Sequence, residues 1–298
     1  MYKQIDSNKR RTLFLMFFMF IFIGGLGYVF SLALGEPSFF PIAVVFGIIY
    51  NLSAFFWSEK VVLLISGARP IPRNAETEKV YDIVENLCIT SGLPMPQLYL
   101  MEDMAINAFA TGRNPQKSHI AMTRGCIEKL DKNELQGVLS HELSHIKNYD
   151  IRLMTIVTVL IGIIALMSDL FLRTMFSTKR DSNNDGGGQI KIILFVIGIV
   201  LAILAPIFAQ LIQLAISRKR EFLADADGAL LTRYPEGLAS ALEKIAGDND
   251  FVDRANNATA HLFIANPLPR TGIRASFSKF FSTHPPIKER VAALRAML

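Results

Sequence analysis

His141-Glu142-Leu143-Ser144-His145 matches the pattern H-E-x-x-H, and its reading governs the rest of the chain. On an α-helix, side chains four residues apart share a face, so the two imidazoles project together. A neighbouring pair of this kind can hold one Zn²⁺, with bonds of about 2.0–2.1 Å. Glu142 lies one residue along, near the open side of such a metal, where a carboxylate can take a proton from activated water. The helix is predicted independently of the motif. Asp131 and Glu134 are spaced as N-cap and N3 of a capping box, and Leu135, Val138, Leu139 and Leu143 follow at helical intervals. With 5 histidines among 298 residues, the pattern arises by chance on the order of 0.004 times per chain.

Around the motif, the composition is that of a membrane protein. The chain is 51% hydrophobic with a mean hydropathy of +0.34, too apolar for an ordinary soluble domain. The net charge of +5 fits basic flanks of membrane spans. No Lys/Arg-rich stripe carries interleaved aromatics, so nucleic acid is not an expected partner; the lipid bilayer is. Two cysteines, Cys88 and Cys126, have no metal-ligand spacing and read as reduced thiols in a cytosolic compartment.

Four long apolar runs divide the chain. Leu13 to Leu34 is uncharged and reaches about 33 Å as a helix, enough to cross the bilayer core. It is too long for the apolar part of a cleaved signal peptide and reads as an anchor. Phe39 to Trp57 forms a second span, ending on an interfacial aromatic. Residues 151–172 and 190–216 supply the third and fourth, whose length favours membrane insertion over a buried soluble hairpin. The expected organisation is a transmembrane hairpin over 1–66, a catalytic region over 67–150, a second hairpin over 151–216 and the rest of the catalytic domain over 217–298. Between the hairpins, Ala75 to Cys88 reads as an amphipathic helix stopping at Gly92. Gln97–Met101, Ile106–Thr111 and His119–Thr123 read as short strands. The fold class is a mainly α membrane protein with four transmembrane helices and an α+β catalytic domain containing a small sheet. Basic residues flank the N-terminus, the segment after Trp57 and the segment after Ile216, which places the catalytic parts in the cytoplasm. The 173–189 loop, with Arg173, Lys179 and Arg180, departs mildly from that rule.

A catalytic zinc takes three protein ligands and leaves a position for water. Two crossings after the motif helix return the chain to the same membrane surface at Arg220-Glu221-Phe222-Leu223-Ala224-Asp225. Glu221 and Asp225 share a helical face. They suit a third ligand and a carboxylate bracing a zinc-bound imidazole. They suit equally a pair of solvated helix charges, and spacing alone does not choose.

Taken together, the four spans, HELSH, the 220–225 segment, Asn107-Ala108-Phe109-Ala110-Thr111-Gly112 and Thr283-His284-Pro285-Pro286-Ile287-Lys288-Glu289-Arg290 resemble the HtpX heat-shock membrane metalloproteases, relatives of the CAAX prenyl proteases. The resemblance covers essentially the whole chain. It implies a zincin-like (gluzincin) catalytic domain, one Zn²⁺ per chain, and Glu221 as third ligand beside His141 and His145. It implies Asp225 as the bracing carboxylate, and Asn107, Ala108, Phe109 and Ala110 as a strand along which an extended substrate adds. It also implies that His284 and Arg290 lie near the zinc, where a cation can stabilise an oxyanion; a helix start and a surface charge remain the local reading of those two. His119 and His261 look structural. The implied activity is zinc-dependent endopeptidase cleavage of misfolded or damaged membrane proteins at the cytoplasmic face of a bacterial inner membrane, in a stress response.

Two other classes fit the residues less well. An intramembrane protease is disfavoured because Asp131, Lys132, Asn133, Lys147, Asn148 and Asp150 make the motif helix too polar for the bilayer core. A zinc-stabilised scaffold without turnover would have no use for Glu142, since a structural site fills its fourth position.

Overall fold

The computed structural model describes residues 2–159, 198, 218–255, 259–267 and 285–298. The 173–189 loop, His284 and most of the third and fourth predicted spans lie outside them. Among the described residues two helices are long and apolar enough to cross a membrane. Helix α1 runs Tyr2–Leu34 and α2 runs Phe39–Ile65. They pack as a hairpin, with Gly27 set against Ala43, the small-residue contact that lets spanning helices approach closely. Their outer faces leave Phe14, Phe17, Ile21, Ile42 and Ile49 exposed, as a lipid-facing surface requires. Both helices extend beyond the apolar runs. The first turns of α1, polar in sequence, are already helical, and α2 continues through Glu59 and Lys60 to Ile65.

Helix α3 (Glu78–Ser91) buries Val80, Ile83, Val84, Leu87 and Cys88 and stops at Gly92, whose φ is +69°. The sheet comprises β1 (Arg69–Pro70), β2 (Gln97–Met101), β3 (Ala108–Asn114) and β4 (Lys117–Thr123). Its spatial order is β1-β2-β4-β3, with β2 and β4 parallel and the other pairs antiparallel. The β3–β4 turn falls between Asn114 and Lys117, later than the expected break at Gly112. Strands β1 and β3 are the two edges of the sheet.

Short α4 (Arg124–Lys129) leads into α5 (Lys132–Lys147), which carries the motif. Asp131 Oδ1 accepts from the backbone of Asn133 and Glu134, while Glu134 Oε2 accepts from Asp131 N at 2.8 Å, completing the predicted capping box. Leu135, Val138, Leu139, Leu143 and Ile146 are all fully buried, each contributing on the order of 1.5–3 kcal/mol. Helix α5 runs through the middle of the body, touching α3, β3, α6 (Arg218–Thr232) and α7 (Pro235–Gly247). Helix α8 (Ile287–Arg295) packs on α6 and α7.

Residues 150–159 are helical. Ile151, Leu153, Met154, Thr155, Ile156, Val157 and Thr158 are buried, so the opening of the predicted third span is enclosed by protein. Thr155 Oγ1 lies 2.9 Å from Thr111 Oγ1, and Thr158 Oγ1 lies 3.2 Å from His261 Nε2. At the junction of body and hairpin, Arg113 stands over Phe56, Arg152 over Phe55 and Lys9 over Tyr149, at 5.1, 5.6 and 4.8 Å. Such cation–π contacts suit the boundary between lipid and water.

Candidate active site

The motif helix and α6 build the centre together, and small residues let them approach. Glu221, Asp225 and Gly228 occupy one face of α6. A Cβ on Gly228 would lie 3.1 Å from His141 N, so glycine there lets α6 rest against the motif. The face then presents two carboxylates to the two imidazoles. His141, His145 and Glu221 each offer a ligand atom within 4.8 Å of the others. The two Nε2 atoms are 3.2 Å apart, and Glu221 oxygens lie 3.9 Å from His141 Nε2 and 3.6 Å from His145 Nε2. Tetrahedral zinc with bonds of about 2.0–2.1 Å needs its ligands about 3.3 Å apart; the imidazole pair already meets that spacing, and the Glu221 carboxylate has to move closer.

The opposite ring nitrogens are also engaged. His141 Nδ1 meets Asp225 Oδ1 at 2.9 Å, and His145 Nδ1 meets Asp150 Oδ2 at 3.1 Å. A carboxylate behind each imidazole fixes the tautomer that leaves Nε2 free for a metal. All of these side chains are buried. Four carboxylates (Glu142, Asp150, Glu221 and Asp225) stand against two guanidinium groups (Arg220 and Arg290) in this buried cluster. Carboxylates outnumber guanidinium groups here, so a bound cation is electrostatically favoured. Donor type, spacing and charge therefore all fit a divalent metal such as zinc.

The titration behaviour has the same origin. Burial lowers His141 despite the raising influence of Asp225. Burial also pulls His145 down, but its hydrogen bond to Asp150 and the charges of Glu221, Asp150 and Glu142 win, lifting it to about 9. Glu142 is raised to about 7, chiefly by burial; His145 opposes, Glu221 assists, and a hydrogen bond from the Ala110 backbone holds the carboxylate form.

Arg290 is wholly buried. Its Nε and Nη2 grip Asp225 at 2.8 and 2.6 Å, and Nη1 donates to the Ile264 carbonyl at 2.9 Å. Nη2 also lies 3.5 Å from His141 Nδ1, and Nη1 lies 3.9 Å from Glu221. The residue expected to face an oxyanion is instead bound two-pronged to the carboxylate behind His141. Asn107 bridges Ala265 O and Ala108 N. Ala108, Phe109 and Ala110 are buried on β3. Three outward backbone groups of that strand are engaged: Ile264 N donates to Ala108 O, Ala110 N serves Glu142, and Gly112 N donates to Thr155. Phe263 lies edge-on to Phe109 at 5.1 Å. At the start of β3, a cavity of about 370 Å³ is lined by Ile106, Asn107, Ile264, Ala265, Ile287 and Arg290, among others. His119, against Tyr99, and His261, beside Thr158, are not part of the metal group.

The sequence reading missed Asp150, Arg220 and the 263–265 segment. Asp150 was legible in part, as a carboxylate just past the motif helix. Its return to His145 depends on Tyr149, whose φ of +59° is left-handed and costs about 1–2 kcal/mol in a non-glycine residue.

A fold built on an H-E-x-x-H helix, with a glutamate delivered from a later helix, is that of a metallopeptidase. The family profile of Peptidase family M48 matches residues 74–298, and the chain belongs to that family of metalloproteases. It is 45% identical over 297 residues to the Protease HtpX homolog of Tropheryma whipplei (strain Twist), spanning 100% of this chain and 98% of the relative. The Protease HtpX homolog of Dictyoglomus turgidum is 44% identical, with 99% and 94% covered, and that of Listeria monocytogenes serotype 4a is 38% identical, with 100% of both covered. The HtpX-type resemblance drawn from the motifs thus holds over the full chain. Among solved structures, S. mikatae Ste24p shares the fold at a TM-score of 0.50 and 18% identity, over 99% of this chain and 67% of that one. The protein is a membrane metalloprotease.

Proposed function

We propose that the chain is a zinc-dependent endopeptidase that cleaves misfolded or damaged membrane proteins at the cytoplasmic surface of a bacterial inner membrane. The observation that carries this reading is the convergence of His141, His145 and Glu221 with the buried Glu142. These three residues would hold the metal, one per chain. Zinc bound there supplies Lewis acidity, which polarises the scissile carbonyl and acidifies water. Glu142 takes the proton from water and passes it to the leaving amine; a value near 7 suits both halves of that transfer. Its hydrogen bond from Ala110 fixes the carboxylate relative to β3. Asp225 and Asp150 orient the imidazoles, and Arg290 keeps Asp225 ionised. By resemblance, His284 is the donor to the developing oxyanion.

The substrate segment enters by the cavity beside Asn107 and lies against 107–110, displacing part of the 263–265 contact. The basic flanks support four crossings with both halves of the site in the cytoplasm. A substrate confined to the same bilayer reaches a site at the foot of α1 and α2 without a search in three dimensions.

Glu142→Gln tests the mechanism. The variant keeps one zinc per chain by metal analysis and loses cleavage of a model membrane protein by about 10²–10⁴-fold. Digestion at the parental rate would overturn the assignment.

A further inference from the structure

We propose that Asn8, on the first transmembrane helix, is a positioning residue for His145, acting through Asp150. Asn8 is 1% exposed. Its Nδ2 donates to Asp150 Oδ1 at 2.7 Å and to the Asn148 carbonyl at 3.0 Å. Its Oδ1 accepts from Arg220 Nη1 at 3.3 Å. The other oxygen of Asp150 holds His145 Nδ1 at 3.1 Å. Arg220 also reaches Asp150, at 3.4 Å, and its neighbour in sequence is Glu221. One amide from the membrane anchor therefore joins the carboxylate behind one candidate ligand to the residue beside another.

Helix α1 is built to deliver that amide. Asn8, Thr12, Leu15 and Met19 are buried, at intervals of four, three and four residues, which is one helical face. Lys9 over the Tyr149 ring, at 4.8 Å, secures the same turn. Tyr149 in turn holds the left-handed backbone that swings Asp150 back toward His145. Burying a carboxamide is costly unless its polar atoms are hydrogen-bonded. Here every polar atom of Asn8 has a partner. An apolar residue in its place would leave Asp150 Oδ1 with only the longer Arg220 contact and would strip the Asn148 carbonyl of its donor. Asp150 would then turn more freely, and His145 with it.

The inference rests on the metal site proposed above, so the experiment separates the two. Zinc affinity is measured on the full chain in detergent by competition with a chelator, and the Co²⁺-substituted protein gives a ligand-field spectrum. Loss of a carboxylate behind a ligand weakens metal binding about 10–100-fold, which is expected for Asp150→Ala. Asn8→Ala, one bond further out, is expected to weaken it about three- to tenfold and to shift the cobalt bands. Asn8→Asp keeps the shape, removes the donor and is expected to lose at least as much; it serves if the alanine variant does not fold. Arg10→Ala, an exposed position on the same turn, leaves affinity and spectrum unchanged. In an Asp150→Ala background, Asn8→Ala adds less than twofold, because its route to His145 is already cut. Parental affinity in both Asn8 variants, or an undiminished loss in the Asp150→Ala background, overturns the inference. A parental protein that binds no divalent ion at His141, His145 and Glu221 overturns the metal site itself.

Discussion

Arg290→Met puts the buried charge cluster to its most direct test. The guanidinium has no exposed surface and makes three short contacts, two to Asp225 and one to the Ile264 carbonyl. Methionine removes all three and roughly fills the stem volume. Breaking a buried pair by deleting one partner costs about 3–5 kcal/mol, because the remaining charge stays buried and uncompensated. The orphaned carbonyl adds about 1–3 kcal/mol in isolation. The two do not sum, since Asp225 keeps its 2.9 Å contact with His141 and can take up a proton. A net loss of about 4 kcal/mol follows, which lowers Tm by about 10–15 °C in a body of this size.

The same change reaches the metal. Burial pushes the Asp225 carboxyl up, and the charge and hydrogen bonds of Arg290 more than reverse this, holding it below its usual range. Without Arg290, Asp225 braces His141 less well, and zinc affinity falls about 10–100-fold. Thermal unfolding and chelator competition on the purified full chain read both effects. Arg290→Lys keeps the charge but not the two-pronged grip and falls between. Adding Asp225→Asn to Arg290→Met restores part of the stability but none of the metal affinity. An Arg290→Met protein within about 1 kcal/mol of the parent, with unchanged affinity, would refute the account of the cluster.

Other consequences are as specific. Gly137 on α5 faces α7 so closely that an added Cβ would lie 2.6 Å from Leu238 N. Gly137→Ala is expected to lower Tm by several degrees despite a gain in helix propensity of about 1 kcal/mol; a higher Tm would show that the helices have room. Asp248 accepts from Ile106 N at 2.9 Å and from Lys129 at 3.1 Å. Burial raises its carboxyl, but these bonds outweigh that and hold it below the ordinary 3.8. Its stabilisation is therefore complete above that value and disappears as pH falls through the lowered one. Asp248→Asn should be less stable than the parent at neutral pH, with the gap closing below about pH 4; a gap that persists in acid would mean that the charge is not its source.

The parts of this molecule legible from the sequence are those whose cause is local. The capping box at Asp131 and Glu134, the apolar face of α3 and the stop at Gly92 each depend on neighbours within a turn or two. The pairing of Glu221 with the motif was readable as a spacing, since the chain must return to the same surface to complete a site. Choosing it over a solvated helix charge needed the resemblance. Strand β1, two residues long, carries no periodicity to find. Asp150 was read only as a polar flank, because its partners arrive from residues 8, 145 and 220. The polar start of α1 reads in sequence only as a basic flank, for the same reason. Helical burial of Asn8 becomes visible only once the catalytic body lies against it. Arg290, expected near the metal by resemblance, lies 3.5 Å from His141 Nδ1. Which acceptor its fork would choose depended on the Ile264 carbonyl and Asp225, which no spacing reveals.

Helix α1 is a 33-residue rod without a proline, about 50 Å long at 1.5 Å per residue. The hydrocarbon it crosses is only about 30 Å thick, and its lower end is embedded in the protein body through Asn8. Acyl-chain length sets the slant of such a rod. A change of ten degrees, pivoting near the bilayer midplane, moves residue 8 by about 4 Å. A change of slant would pull on the 2.7 Å hydrogen bond between Asn8 and Asp150, and cleavage rates in bilayers of different acyl-chain length measure that coupling.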